Sequence, residues 1–131
     1  MRILIDTNVL FSALLFPSSK PAQLLSQVAD NHQIVLCEQN ITELCDILRR
    51  KAPQYLPSSQ VFLSRLSYEM IPSITSTQKR IRDPKDQPIL NAAIVYNVDI
   101  IITGDKDFLS LDLERPKCIS VADFLTNENL L

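Results

Sequence analysis

Short, wholly apolar runs that alternate with stretches of helical periodicity leave this chain few folds to choose from. Ile3-Leu4-Ile5 is rich in β-branched residues and stops at Asp6-Thr7-Asn8. A strand with no polar alternation is buried on both faces, as in a parallel sheet. Ile34-Val35-Leu36-Cys37 reads the same way, and Val98 to Thr103 is the clearest strand of the chain. Between them, Ser18-Ser19 and Pro21 open a helix that buries Leu24, Leu25 and Val28. Gln39 to Lys51 carries Ile41, Leu44, Ile47 and Leu48 on one stripe and stops before Pro53. Pro57-Ser58-Ser59 opens a third helix with Phe62, Leu63, Leu66 and Met70 inward. Ile71 to Ile74 gives a short strand, weakened by Pro72, and Thr75 to Lys85 is a polar loop. Asp86 to Tyr96 is helical, with Ile89, Leu90, Ala93 and Ile94 as its stripe. Gly104 to Asp107 turns, Lys117 to Ser120 is a last strand, and Ser120 to Asp123 opens the final helix with a capping box. This order predicts a three-layer α/β/α sandwich around a central parallel sheet of four to five strands, in one domain spanning residues 1–131.

Composition removes several kinds of chemistry. Gly104 is the only glycine, so neither a P-loop nor a dinucleotide fingerprint is present. His32 is the only histidine, and Cys37, Cys45 and Cys118 lack zinc-ligand spacing. The cysteines lie in apolar runs, which predicts buried, reduced thiols and a cytoplasmic protein. The apolar run Val9 to Phe16 follows Asp6 and Asn8 and lacks a cleavage site, so it reads as neither signal peptide nor membrane span, and the mature protein is expected to begin at Met1.

Four carboxylates converge instead. The crevice of an open α/β sheet lies beyond the carboxyl ends of its strands. Asp6 follows the first strand directly, and Asp105 follows the clearest one with only Gly104 between. Asp86 opens the helix leading into that strand, three and four residues before Ile89 and Leu90, and so borders its core-facing side. Glu43 lies near the start of the helix after the second strand, one turn before Ile47. Taken singly, each has a structural explanation: an Asx turn for Asp6, a helix cap for Asp86, a turn for Asp105 and Asp107, a solvated helix face for Glu43. Together they form an all-oxygen site suited to Mg²⁺ or Mn²⁺, as one or two ions.

These segments resemble the PIN-domain family. Ile3-Leu4-Ile5-Asp6-Thr7-Asn8-Val9-Leu10 is similar to the family's opening strand, and Ile41-Thr42-Glu43-Leu44 to its glutamate-bearing helix. Arg82-Asp83-Pro84-Lys85-Asp86 with Ile89 to Ala93 resembles the third acidic motif, and Ile102 to Leu109 the fourth. Val121-Ala122-Asp123-Phe124-Leu125 is similar to the closing helix, so the likeness runs the length of the chain, and most strongly toward the VapC-like toxins of toxin–antitoxin pairs.

The resemblance implies a metal-dependent ribonuclease that leaves a 5′-phosphate and a 3′-hydroxyl, works as a homodimer and is held by a small antitoxin. It makes Asp6, Glu43, Asp86 and Asp105 the catalytic, metal-binding acids. Asp107 becomes an outer acid, and Asn8 and Thr103 orient waters or carboxylates. Asp83 competes with Asp86, which is preferred because Pro84 holds Asp83 in an extended segment. Cys37 stands where the family commonly has a serine or threonine cap, and Pro88 falls in the first turn after Asp86.

Charge distribution is compatible with an RNA substrate. The net charge is −2, yet Arg49 to Lys85 carries +6 and the remainder −8. Arg82 and Lys85, which flank the third acidic motif, rank first as phosphate ligands, followed by Lys79, Arg80, Arg49 and Arg50. A solvated helical face explains the same charges. Other readings fit less well: a receiver-type phosphoacceptor domain would pair two adjacent acids after the first strand, which this chain lacks. A haloacid-dehalogenase-type phosphatase wants a second aspartate where Asn8 stands, and a catalytically silent binding module of the same fold has no need of four intact acids.

Overall fold

The computed structural model describes residues 1–74 and 87–127. Five strands form one sheet in the order β3-β2-β1-β4-β5, and every neighbouring pair is parallel. They are β1 (Arg2–Ile5), β2 (Gln33–Cys37), β3 (Tyr68–Ile71), β4 (Ile100–Ile102) and β5 (Lys117–Ile119). Among the described residues, seven α-helices connect and follow them: α1 (Thr7–Leu15), α2 (Lys20–Asn31), α3 (Glu38–Lys51), α4 (Leu56–Arg65), α5 (Gln87–Val95), α6 (Lys106–Leu109) and α7 (Val121–Asn127).

Strand periodicity assigns the two cores. Ile3, Ile5, Ile34, Leu36, Ile100 and Ile102 point to one side, where Leu10, Leu24, Val28, Leu44, Leu48 and Phe124 cover them. Leu4, Val35, Cys37, Ile71 and Ile101 point to the other, under Ile89, Leu90, Ala93 and Phe108. Helices α1, α2, α3 and α7 thus form one layer and α5 and α6 the other, which gives the expected three-layer sandwich.

Several boundaries differ from expectation. A further helix, α1, starts at once after β1, because the Asp6 side chain accepts from Thr7 N and caps it. Met70 is not an inward helical residue: α4 ends at Arg65, Leu66 turns extended (φ −80°, ψ 123°), and Met70 lies in β3 with 52% of its surface exposed. The third strand is Tyr68–Ile71 rather than Ile71 to Ile74, since its pairing with Ile34 to Cys37 stops at Pro72. Gly104 to Asp107 is no simple turn, for Asp105 caps the short helix α6. Ser120 receives Asp123 N at 3.1 Å, the forward half of the expected capping box. All three cysteines are free, but only Cys37 is buried, with Cys45 and Cys118 half-buried. Burial nevertheless pushes the Cys118 thiol up to about 11.

The amino ends of the strands are tied by charge. Arg2 bridges to Glu69 and donates to the Tyr96 carbonyl, while Arg115 pairs with Asp99 at 2.9 Å. The carboxyl ends carry Asp6, just past β1, and Asp105, beyond β4. No helix among the described residues is long and apolar enough to cross a membrane.

Candidate acidic site

Sheet topology reverses direction between β1 and β4, because chain order runs outward from β1 through β2 to β3 and then resumes at β4 on β1's other side. Ligand crevices in doubly wound sheets form at such switch points. Asp6 leaves β1 there, and Asp105 follows β4. The register pairs Ile5 with Ile102, so Asp6 and Thr103 come next to each other, and Asp6 N donates to the Ile102 carbonyl at 2.9 Å.

Hydrogen bonds fix both acids. Asp6 Oδ1 accepts from Thr7 N at 2.8 Å, and Oδ2 accepts from Thr103 Oγ1 at 3.0 Å. Thr103 Oγ1 in turn accepts from Asp105 N at 3.0 Å, and Asp105 Oδ1 accepts from Asp107 N at 2.8 Å. One buried hydroxyl therefore links the two strand-end acids. Glu43 joins from α3: its Oε2 accepts from Thr7 Oγ1 at 2.9 Å and its Oε1 from Gln39 Nε2 at 3.2 Å. Thr7 also accepts from Asn40 Nδ2 at 3.1 Å.

Asp6 is buried, and among the described residues no cation pairs with it. Burial pushes its carboxyl up to about 6. The Thr103 and Thr7 bonds pull it back, while Glu43 and Asp105 add repulsion. A buried carboxylate lacking a positive partner, with two further acids close enough to repel it, is an all-oxygen environment that a hard cation would neutralise. Among the described residues, no three acid, histidine or cysteine side chains are close enough to form a complete cation site alone. The third acid, Asp86, lies outside them, as do Asp83, Arg82, Lys85, Arg80 and Lys79.

The other expected residues divide. Thr103 touches Asp6 directly, and the backbone of Asp107 holds Asp105. Asn8 is exposed and makes no side-chain hydrogen bond among the described residues. Arg49 and Arg50 are not brought to the site. They lie at the far end of α3, six and seven residues beyond Glu43 and so about 9–10 Å along its axis. Arg49 pairs there with Asp46 at 3.1 Å, and both arginines complement the carboxyl end of the helix. The sequence does not mark Thr7 and Asn40 as side chains of the site. The only available signal was Asn40 three residues before Glu43, a spacing that puts both on one helix face. An apolar cavity of about 260 Å³ between α1, α2 and α4, lined by Ala13, Leu25, Phe62 and Leu66 among others, has no acid on its wall.

A family model described as PIN domain matches residues 2–107. An uncharacterised protein of Methanocaldococcus jannaschii is 30% identical over 117 residues, covering 85% of this chain and 75% of its own length. Among solved structures, VapBC2 from Rickettsia felis, bound to a DNA fragment from their promoter, superposes with a TM-score of 0.69 at 20% identity. That match covers 92% of this chain and 98% of the other, and at this identity it speaks to the fold.

Proposed function

Since the chain belongs to the PIN-domain family, we propose that it is a divalent-metal-dependent ribonuclease and the toxin of a toxin–antitoxin pair. The observation that carries the reading is Asp6: a buried carboxylate at the β1/β4 switch point, lacking a positive partner among the described residues, tied through Thr103 to Asp105 and through Thr7 to Glu43. Asp6, Glu43 and Asp105, with Asp86 from the resemblance, would hold Mg²⁺ or Mn²⁺. Such an ion supplies positive charge for the developing transition state of a phosphodiester and makes water a better nucleophile.

The residues themselves do the positioning. Thr103 and Thr7 N–H hold both oxygens of Asp6, so its carboxylate plane is set before any substrate arrives. Asp107 N–H fixes Asp105 at the cap of α6, and Gln39 with Thr7 fixes Glu43. Preorganised acids of this kind lower the reorganisation needed during reaction. Arg82 and Lys85 are assigned to the RNA phosphates. A homodimer, a small antitoxin partner and a cytoplasmic location complete the reading, and the fold match to VapBC2 supports the antitoxin.

The test is cleavage of labelled single-stranded RNA with Mn²⁺, with Mg²⁺ and with chelator, alongside Asp6→Asn. Metal-dependent cutting that leaves 5′-phosphates and disappears in Asp6→Asn is expected, with a loss of at least about a hundredfold. Absence of both cutting and metal binding would favour the silent binding module.

A further inference from the structure

We propose that Asn40 is a positioning residue of the acidic site, setting the rotamer of Glu43 through the Thr7 hydroxyl. The proposal rests on the nuclease reading of that site. Asn40 is fully buried on the first turn of α3, three residues before Glu43. Its amide orientation follows from its neighbours. Cys37 N can only donate, so the atom it meets at 2.9 Å is Asn40 Oδ1. Nδ2 must then face Thr7 Oγ1, at 3.1 Å.

That donation decides what Thr7 does. A threonine hydroxyl has one proton and two lone pairs. With a lone pair engaged by Asn40, the proton is aimed at the remaining acceptor, Glu43 Oε2, at 2.9 Å. The three bonds thus run in one direction, from the Cys37 backbone side of α3 through Asn40 and Thr7 to the carboxylate, and bonds in such a chain strengthen one another. Thr7 also gives its backbone N–H to Asp6, so the same residue serves two acids on different elements. Gln39 takes the second oxygen of Glu43, which leaves that side chain one orientation in which both bonds are made.

Helix capping accounts for only half of this. Cys37 has a poor acceptor in its sulfur, and Asn40 Oδ1 supplies the return bond a capping box needs at the start of α3. Capping gives no task to Nδ2, which reaches 33 residues back in the chain to Thr7. A leucine of similar size at position 40 would fill the volume but remove the donor that holds Thr7 in the one rotamer placing its hydroxyl between Asn40 and Glu43.

The experiment reads Thr7 in metal-free protein by three-bond couplings to its γ-methyl, then measures Mn²⁺ affinity calorimetrically, in wild type, Asn40→Leu, Thr7→Val and the double variant. A single Thr7 rotamer in wild type should become averaged in Asn40→Leu. Mn²⁺ affinity should fall about tenfold in either single variant and no further in the double, as expected of groups that orient a ligand. An unchanged Thr7 rotamer in folded Asn40→Leu, or losses that multiply in the double variant, would reduce Asn40 to a cap. Should Asn40→Leu not fold, hydrogen exchange of the Asn40 side-chain amide in Thr7→Val decides: faster exchange supports the relay, and unchanged protection overturns it. A wild type that binds no Mn²⁺ while Asn40→Leu still frees Thr7 would sink the nuclease reading and leave the hydrogen-bond relay standing.

Discussion

Thr103 shows how much one buried hydroxyl can settle. It is fully buried, donates to Asp6 at 3.0 Å and accepts from Asp105 N at 3.0 Å. Thr103→Val keeps the shape of the side chain and strands two partners, a carboxylate and a backbone N–H. Losses of this kind cost about 1–3 kcal/mol, and chemical denaturation should show them as a lower midpoint at unchanged slope. Thr103→Ser, which keeps the hydroxyl, should retain most of the stability. Asp6→Asn is expected to move the other way in metal-free protein at neutral pH, because it removes a buried charge that Glu43 and Asp105 repel. If Asp6→Asn instead melts well below wild type, Asp6 is chiefly the cap of α1. Asp6 and Asp105 are legible in the sequence because Asp6 directly follows one apolar strand and Asp105 comes shortly after another, and strand ends define the crevice. Thr7 and Asn40 are not, since their bonds join α1 to α3 and depend on how those helices are packed.

Helix ends raise the same issue of local against distant signals. Asn97 ends α5 in the left-handed region at φ 56°, the one described non-glycine residue there. Asn97 N donates to the Ile94 carbonyl at 3.2 Å and Val98 N to the Ala93 carbonyl at 2.9 Å, which closes the helix before β4. Its own carbonyl accepts from Arg115 at 2.8 Å. Asn97→Gly should hold or raise the melting temperature, whereas Asn97→Val, whose branched side chain resists this conformation, should cost about 1–2 kcal/mol. Equal stabilities for the two variants would show that the neighbouring arginines, and not the backbone, dictate the turn. Local signals of this type worked well elsewhere. Ser19 caps α2 as its sequence suggests, with Pro21 in the first turn. They failed where two elements abut without punctuation. Only Asp6, Thr7 and Asn8 stand between the apolar runs at Ile3 to Ile5 and Val9 to Phe16, too few to mark a loop, and the Asp6 cap alone separates β1 from α1. Met70 departs from its expected place for a related reason: Leu66 and Met70 are spaced like a helical stripe, but pairing with β2 puts Tyr68–Ile71 in the sheet.

For the molecule taken together, a proton and a cation compete for the same buried charge. Asp6 ionises near 3.9 in an unfolded chain and near 6 when folded. The folded state therefore binds more protons than the unfolded one across that window, and the slope of unfolding free energy against pH is negative there. Metal-free protein should lose stability as pH rises from about 4 to about 6 and change little from this group above it, a loss of about 2–3 kcal/mol if Asp6 acts alone. A hard cation binds the ionised form, so its affinity should climb over the same window and flatten above it. At a hundredfold excess over its dissociation constant, the ion adds about 2.7 kcal/mol, enough to offset the apo loss. Thermal melts between pH 4.5 and 8, with chelator and with Mn²⁺, check both halves: the chelated curve should fall with pH and the Mn²⁺ curve should separate from it above about pH 6. In Asp6→Asn the chelated curve should be flatter and the separation small. Two wild-type curves that stay superimposed at pH 8 would mean that the buried carboxylate is tolerated by the fold and has no ion to meet.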